Sequence, residues 1–185
     1  ASGPKVLWIR NHEPEIYAQT RWFLTSQAYL VYKLTGQASI DIYTAGGYAP
    51  LFDVHSYTWI EEAARLITPS ERLPRPYWSH EVVGYVTPEA ARETGLAEGT
   101  PVVAGTTDAA AEAISAGVAD IGDLMLMFGS SIFFIMKTPR LVPTEHFWSA
   151  PFLEADTYAF LGGMSTSGSL TTWFRDQIAR YEVAQ

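Results

Sequence analysis

The residue best placed for chemistry in this 185-residue sequence is Asp108. It lies between a short apolar run, residues 101–105, and an alanine-rich stretch, residues 109–116. The run predicts a buried strand and the stretch predicts a helix. Ligands of open α/β sheets bind where such strands end, and a carboxylate there can accept a proton or orient a hydroxyl group. Aspartate is also a common helix cap, and the spacing alone favours this structural alternative.

A second candidate is the stretch Gly129-Ser130-Ser131, which separates the apolar runs 124–128 and 132–136. Two such runs joined by three small residues predict a β-hairpin. The N–H groups and hydroxyls of its turn are suited to phosphate oxygens. On residue types alone, an ordinary hairpin turn is the favoured alternative.

A third small-residue stretch combines Gly162-Gly163 with residues 165–168. It follows a predicted strand, residues 158–161, and precedes a predicted helix, residues 169–178. Glycine in such a loop lets a ligand approach the backbone closely. A loop without a ligand is the alternative that the residues alone favour.

Motifs of other nucleotide and metal sites are missing from the sequence. It has no Gly-x-x-x-x-Gly-Lys pattern and no cysteine, and its four histidines lack the spacing of metal ligands. We therefore predict no protein-held metal site. Asp41 and Asp53 are interpreted as turn-forming residues rather than catalysts.

The charge balance excludes several classes of partner. Twelve Lys+Arg against 20 Asp+Glu give a net charge of −8, which opposes binding to a nucleic-acid backbone. No basic run and no long apolar stretch is present, so no membrane partner is predicted. The absence of cysteine fits a reducing compartment. The sequence begins Ala1-Ser2-Gly3 without a signal-peptide pattern or Met, and we expect a piece of a longer protein. It leaves open whether the protein is a homodimer.

The elements that must position these residues alternate between helix and strand, which predicts an α/β fold with a mixed sheet. A first helix is expected from residues 13–15 onward, burying Ile16, Tyr17, Phe23 and Leu24. Residues 37–57 are expected to form turns and short pieces, and residues 73–79 an extended loop. The remaining predicted helices span residues 26–34, 59–67, 88–95, 109–116 and 169–178. The remaining predicted strands span residues 81–86, 101–105, 124–128, 132–136 and 158–161.

Several segments, in chain order, resemble the FGGY family of carbohydrate kinases. Ser2-x-x-Lys5-Val6-x-Trp8-Ile9-x-Asn11-His12 is similar to the visible part of that family's first signature. Gly105-Thr106-Thr107-Asp108-Ala109-Ala110 resembles its catalytic segment, and Phe128-Gly129-Ser130-Ser131 its phosphate turn. Residues 168–176 resemble its later helix on the nucleotide side. The resemblance extends over essentially the whole chain.

This resemblance implies a fragment of an actin-like, ribonuclease-H-like ATPase fold that spans the end of the first domain and the start of the second. Residues 1–118 would be the later part of the N-terminal, sugar-binding domain. Residues 119–185 would begin the C-terminal, nucleotide-binding domain. The fragment alone would not turn over ATP, because the cleft between such domains would be incomplete.

The resemblance also implies an activity and a set of site residues. The protein would be a cytoplasmic kinase that transfers phosphate from ATP, with Mg²⁺, to a small sugar or polyol, first of all a pentulose such as xylulose. Asp108 would take the proton from the attacking hydroxyl. Gly129, Ser130, Ser131, Gly168 and Thr172 would lie on the nucleotide side. Ala109 stands where the family often has Asn or Gln, which keeps a non-catalytic sugar- or nucleotide-binding module as the alternative.

Overall fold

The computed structural model describes residues 1–179 and divides the chain into two compact units. The first contains residues 1–108 together with residues 151–155. The second contains residues 109–150 and the described residues from 156 onward. The predicted division after residue 118 stays a prediction.

Six α-helices, two short 3₁₀ helices (Gly46–Tyr48 and Ser70–Arg72) and three two-stranded sheets build the first unit. Its helices are α1 (Gly3–His12), α2 (Pro14–Gln19), α3 (Ser26–Thr35), α4 (Ile42–Ala45), α5 (Glu61–Ile67) and α6 (Pro88–Thr94). Its strands are β1 (Ser39–Asp41), β2 (Phe52–Asp53), β3 (Thr58–Trp59), β4 (Arg75–Tyr77), β5 (Val82–Tyr85) and β6 (Pro101–Val103). β1 pairs in parallel with β4, whereas the pairs β2–β3 and β5–β6 are antiparallel.

The capping residues explain why α3 and α6 form where the sequence predicts them. The Thr25 hydroxyl accepts a hydrogen bond from the N–H of Ala28, and Thr87 does the same for Ala90, so each helix begins with a side-chain cap. Gly36 and Gly95 end these helices with φ values of 75° and 78°, a conformation that glycine adopts without strain.

The core of the first unit gathers around Trp59. Its indole N–H donates to the carbonyl oxygen of Pro74 at 2.8 Å, and its ring packs edge-on against Tyr48 and Phe52. The buried apolar residues of this core are Val6, Phe23, Ile40, Ile42, Ala45, Tyr48, Leu51, Phe52, Ala64, Ile67 and Leu73. They come from α1, β1, α4, β2, α5 and the loops between them, so this core fixes the end of β1.

The second unit is a four-stranded sheet with helices before and after it. Its strands lie in the order β7 (Leu124–Phe128), β8 (Ile132–Thr138), β10 (Tyr158–Met164) and β9 (Trp148–Pro151). β8 pairs antiparallel with both β7 and β10, which confirms the predicted hairpin. Helix α7 (Asp108–Ser115) precedes the sheet and α8 (Gly168–Gln177) follows it.

Four predictions about the first unit are wrong. Helix α1 was not expected, because Val6, Leu7, Trp8 and Ile9 are contiguous rather than spaced by three or four residues. The helix predicted from residue 13 ends at Gln19 and leaves Ile16 exposed, while Phe23 is buried from the following loop. Residues 37–57 contain the short elements β1, α4 and β2, in agreement with the expectation of turns and short pieces.

The other two errors concern strands. The predicted loop 73–79 contains β4, which accommodates Pro76 because β4 has a single neighbouring strand among residues 1–179. The predicted buried strand 101–105 is half-exposed, since within the described part of the chain β6 pairs only with β5. In the second unit, β9 was not predicted. No helix among residues 1–179 has the length and apolar character needed to span a membrane.

Candidate functional site

Asp108 is the first residue of α7 and its side chain is exposed. It follows β6 and a four-residue segment, residues 104–107, as the sequence predicts. A carboxylate that is both exposed and placed at the end of a strand is accessible to a ligand. The structure therefore leaves room for the predicted chemical role, which stays a prediction.

Four hydrogen bonds to distant parts of the chain hold the segment before Asp108, and one of them runs from the N–H of Ala104 to the carbonyl oxygen of Glu81 at 3.0 Å. The Gln27 amide of α3 donates to the carbonyl oxygen of Ala104. The N–H of Gly105 donates to the carbonyl oxygen of Ser79 at 2.9 Å. The Thr106 hydroxyl donates to Oδ2 of Asp41 at 2.9 Å. Gly105 has a φ of 69°, so the backbone turns there in a conformation that favours glycine.

Asp41 is the buried member of this set. It ends β1, is 0% exposed, and its Oδ2 also accepts a hydrogen bond from the N–H of Thr44 at 3.1 Å, which caps α4. Burial raises the pKa of Asp41 above its ordinary value, against the opposing effect of these hydrogen bonds. The turn-forming role predicted for Asp41 is thus only part of its structural role.

Asp53, by contrast, forms the predicted turn. Its carboxylate accepts hydrogen bonds from the N–H of His55 at 2.9 Å and from the Ser56 hydroxyl at 2.8 Å. These bonds lower the pKa of Asp53, which is half-buried. Nothing in this arrangement points to catalysis.

Tyr43 is a further titratable residue within electrostatic reach of Asp108. Burial raises its pKa to about 12, and the negative charges of Asp41 and Asp108 contribute in the same direction. Its phenol is therefore protonated at neutral pH and lies within electrostatic reach of Asp108. Its ring packs edge-on against Phe152 at a centroid distance of 6.0 Å. No sequence motif joins residue 43 to residue 108, so only the fold could reveal this proximity.

In the second unit, the turn 129–131 is tied to the start of α8. The N–H of Gly168 donates to the carbonyl oxygen of Gly129 at 2.9 Å. The N–H of Ser167 donates to the carbonyl oxygen of Ser130 at 2.8 Å. The Ser169 hydroxyl also donates to the Ser130 carbonyl oxygen, at 3.1 Å. The structure thus brings together the predicted phosphate turn and the predicted nucleotide-side helix.

The contact is too close for any side chain at residue 168. A Cβ atom on Gly168 would lie 2.5 Å from the Gly129 carbonyl oxygen. At Gly129 a Cβ atom would lie 3.5 Å from Met127 Sδ, an ordinary contact. The glycine at 168 is therefore required by the approach of two backbones, whereas the glycine at 129 is not required by packing.

The hydroxyl groups of the turn 129–131 and of α8 differ in whether a hydrogen bond within the protein already uses them. Neither Ser130 nor Ser131 uses its hydroxyl in a hydrogen bond within the described part of the chain, and Ser130 is exposed. Thr172 is exposed on α8, and its hydroxyl donates to the Gly168 carbonyl oxygen at 3.2 Å. Two neutral hydroxyls on the turn are thus available to an oxygen-rich ligand.

The third predicted stretch has a different role. Gly162 and Gly163 lie inside β10, opposite Phe134 and Phe133 of β8, and not in a loop. A Cβ atom on Gly162 would overlap the ring of Phe147, which packs with Phe134 and Phe160 at centroid distances of 5.6 and 5.3 Å. The prediction of a ligand-facing loop at these two glycines is wrong, because aromatic packing explains Gly162.

Residues 1–115 match the model of the N-terminal domain of the FGGY family of carbohydrate kinases. The chain is 36% identical over 131 residues to the xylulose kinase of Escherichia coli K12, covering 70% of this chain and 27% of the relative. It is 35% identical to the probable L-xylulose kinase of Pasteurella multocida, covering 92% of this chain and 36% of the relative. The chain thus spans about a third of the length of the curated relatives it matches.

Solved structures show the same relationship. The xylulose kinase from Rhodospirillum rubrum matches with a TM-score of 0.88 and 30% identity, covering 95% of this chain and 36% of that one. The ADP-bound glycerol kinase of Plasmodium falciparum, at 20% identity and a TM-score of 0.82, shares the fold. The predicted α/β, actin-like ATPase fold is confirmed for this fragment. The chain belongs to the FGGY family of carbohydrate kinases.

Proposed function

We propose that the protein is an ATP-dependent carbohydrate kinase that phosphorylates a hydroxyl group of a ketose or polyol, with a pentulose such as xylulose as the first choice. The observation that carries the proposal is the position of Asp108. Its exposed carboxylate begins α7 on a segment fixed at three points and lies near the protonated phenol of Tyr43. The xylulose kinases to which the chain is similar support the choice of substrate class.

Asp108 would act as the base. It would accept the proton of the sugar hydroxyl as that oxygen bonds to the γ-phosphorus and the bond from phosphorus to the ADP oxygen breaks. Phosphoryl transfer requires mainly positioning and charge stabilisation, so one well-oriented carboxylate is sufficient on the acceptor side. Tyr43 would offer a neutral hydrogen-bond donor beside it.

The turn 129–131 and the start of α8 would hold the phosphates of ATP. The hydroxyls of Ser130 and Ser131 are the donors that fit, and the small residues Gly129 and Gly168 leave the backbone accessible. Thr172 is proposed to face the nucleoside. These donors are neutral, so the charge of the phosphates must be met by another group.

Mg²⁺ fits this requirement as an ion carried with the nucleotide. No group of three or more His, Cys, Asp or Glu side chains able to hold a metal occurs among residues 1–179. Mg²⁺ is commonly bound through substrate phosphates rather than by a protein cage. When bound with ATP, it supplies positive charge to the transferring phosphoryl group.

The proposal extends to the organisation of the protein. Residues 1–118 would form the later part of a sugar-binding N-terminal domain, and residues 119–185 the start of a nucleotide-binding C-terminal domain. The protein would act in the cytoplasm on a small-molecule sugar.

The test is sugar-dependent ADP release by the full-length protein and by its Asp108→Ala variant, across D-xylulose, D-ribulose, L-ribulose, glycerol and a blank without sugar. Loss of a general base lowers kcat by about 10²–10⁴-fold, while binding of MgATP should persist. Asp120→Ala is the matched control, because Asp120 is an exposed aspartate of the turn after α7. Release that is unchanged in Asp108→Ala would overturn the assignment.

A second candidate function is a non-catalytic sugar- or nucleotide-binding module, and Ala109 favours it. A methyl group next to Asp108 offers no hydrogen bond to a substrate hydroxyl. MgATP binding without ADP release on any sugar of the panel would support this candidate against the kinase.

A further inference from the structure

We propose that Asp41 is a positioning residue for catalysis, which holds the segment 104–108 through Thr106 and so fixes the Asp108 carboxylate. The effect on catalysis rests on the proposed function. The anchoring of the segment does not, and it can be measured separately.

The contact joins two residues that are 65 positions apart in the chain. Thr106 Oγ1 donates to Asp41 Oδ2 at 2.9 Å, and Thr106 is two residues before Asp108. Asp41 is itself held firmly, because β1 pairs with β4 in the register Asp41↔Tyr77 and Asp41 caps α4 through Thr44. The anchor is thus attached to the core of the first unit.

A carboxylate at this position needs an explanation. Asp41 is 0% exposed, and within the described residues no cation pairs with it and its Oδ1 has no hydrogen-bond partner. Burial of an unpaired charge is costly, and an asparagine would serve equally as the cap of α4. Carboxylates that are desolvated in this way are concentrated at functional sites.

The hydrogen bond from Thr106 to Asp41 holds a side chain of the segment, and the Asp41 residue that accepts it is fully buried. The other three hydrogen bonds of the segment act on main-chain atoms of Ala104 and Gly105. The bond at Thr106 is therefore the side-chain anchor nearest to Asp108.

The anchoring is tested by hydrogen exchange in the full-length protein and its Thr106→Val variant. Loss of this buried hydrogen bond should speed exchange of the amides in segment 104–108 about threefold to tenfold. Thr106→Ser keeps the hydroxyl and should preserve slow exchange. Thr94→Val is the matched control, because it removes a hydroxyl that bonds the Ala90 carbonyl oxygen at 2.6 Å in α6.

The effect on catalysis is tested by ADP release in the same variants. Thr106→Val should lower kcat about tenfold and leave KM for MgATP within about twofold, because the acceptor side is disturbed and the nucleotide side is not. Thr106→Ser should restore kcat. Asp41→Ala combined with Thr106→Val should be no worse than Asp41→Ala alone, since the two residues act through one bond.

The outcomes separate the two proposals. Faster exchange of segment 104–108 with unchanged kcat would overturn the positioning role and leave the kinase assignment intact. Unchanged exchange in Thr106→Val, or equal loss of kcat in Thr94→Val, would also overturn it. Faster exchange in a protein without sugar kinase activity would keep the anchor and refute the proposed function.

Discussion

Substitution of Gly168 by alanine tests the contact that joins the turn 129–131 to α8. A Cβ atom at residue 168 would lie 2.5 Å from the Gly129 carbonyl oxygen and 3.2 Å from its carbon. Both are backbone atoms, which cannot move aside by a change of rotamer. The start of α8 must therefore move away from the turn.

The expected cost follows from the bonds that this movement breaks. The N–H groups of Gly168 and Ser167 donate to the turn at 2.9 and 2.8 Å. Two such bonds contribute about 1–3 kcal/mol together, and overpacking costs of the same size are typical. Alanine favours a helix more than glycine does, by up to about 1 kcal/mol, and this gain offsets part of the loss. We expect a net loss of about 1–2 kcal/mol in the free energy of unfolding.

Equilibrium urea denaturation of the full-length protein measures this loss, with Gly129→Ala as the matched control. A methyl group at residue 129 would lie 3.5 Å from Met127 Sδ and 3.7 Å from the Ser131 carbonyl oxygen. The free energy of unfolding of Gly129→Ala should therefore stay within about 0.5 kcal/mol of the wild-type value. Gly168→Ala should also weaken MgATP binding, because the Ser130 hydroxyl moves with the turn. Equal stabilities of the two variants would refute the argument from backbone contact.

Two further predictions concern one buried residue in each unit. Burial raises the native pKa of Asp41 above its ordinary 3.8, so the wild type loses stability as pH rises through the interval between the two values. Urea denaturation should show Asp41→Asn gaining stability relative to the wild type as the pH rises above 3.8, and a pH-independent difference would contradict this. Gly162→Ala should lower the free energy of unfolding by about 1 kcal/mol, because its methyl group overlaps the Phe147 ring. Gly47→Ala is the control, since a Cβ atom there meets nothing within 4 Å, and equal stabilities would reject the packing argument.

Local signals in the sequence were sufficient for elements that carry their own caps. Thr25 with Gly36, and Thr87 with Gly95, bracket α3 and α6 in the structure as in the sequence pattern. The hairpin β7–β8 was equally readable, because two apolar runs flank a turn of small residues. Helix α1 was not readable, because its apolar residues lack helical spacing and tertiary packing buries only Gly3 and Val6.

Gly162 shows a second limit of sequence reasoning. Paired glycines before a serine-rich stretch are typical of a loop, and the residues give no sign of the phenylalanines that face them. Phe134 lies 28 positions earlier in the chain and contacts this site only because β8 and β10 pair. Close approach of a ring to the backbone, rather than of a ligand, explains this glycine.

The candidate site shows the same division between local and non-local information. Asp108, Gly129, Ser130 and Gly168 were readable as residue types in motifs, but their supports were not. Asp41 holds the segment before Asp108 through Thr106, and Gly168 is joined to Gly129 by backbone contact. Each predicted functional segment is thus fixed by a residue that is distant in the sequence, 39 positions away for Gly129 and Gly168 and 65 positions away for Asp41 and Thr106.

Under the proposed function, these supports would explain how neutral donors and a single carboxylate can serve phosphoryl transfer. A loose transition state is stabilised by groups that are already in place, so the value of each donor depends on how little it must move. The Ser130 hydroxyl lies on a turn bonded to α8, and the Asp108 carboxylate lies on a segment bonded to a buried aspartate. Substitutions at Asp41, Thr106 and Gly168 should therefore reduce activity although they remove no side chain proposed to contact the substrate. Such a loss would come from poorer positioning of the contacting groups and not from a lost contact.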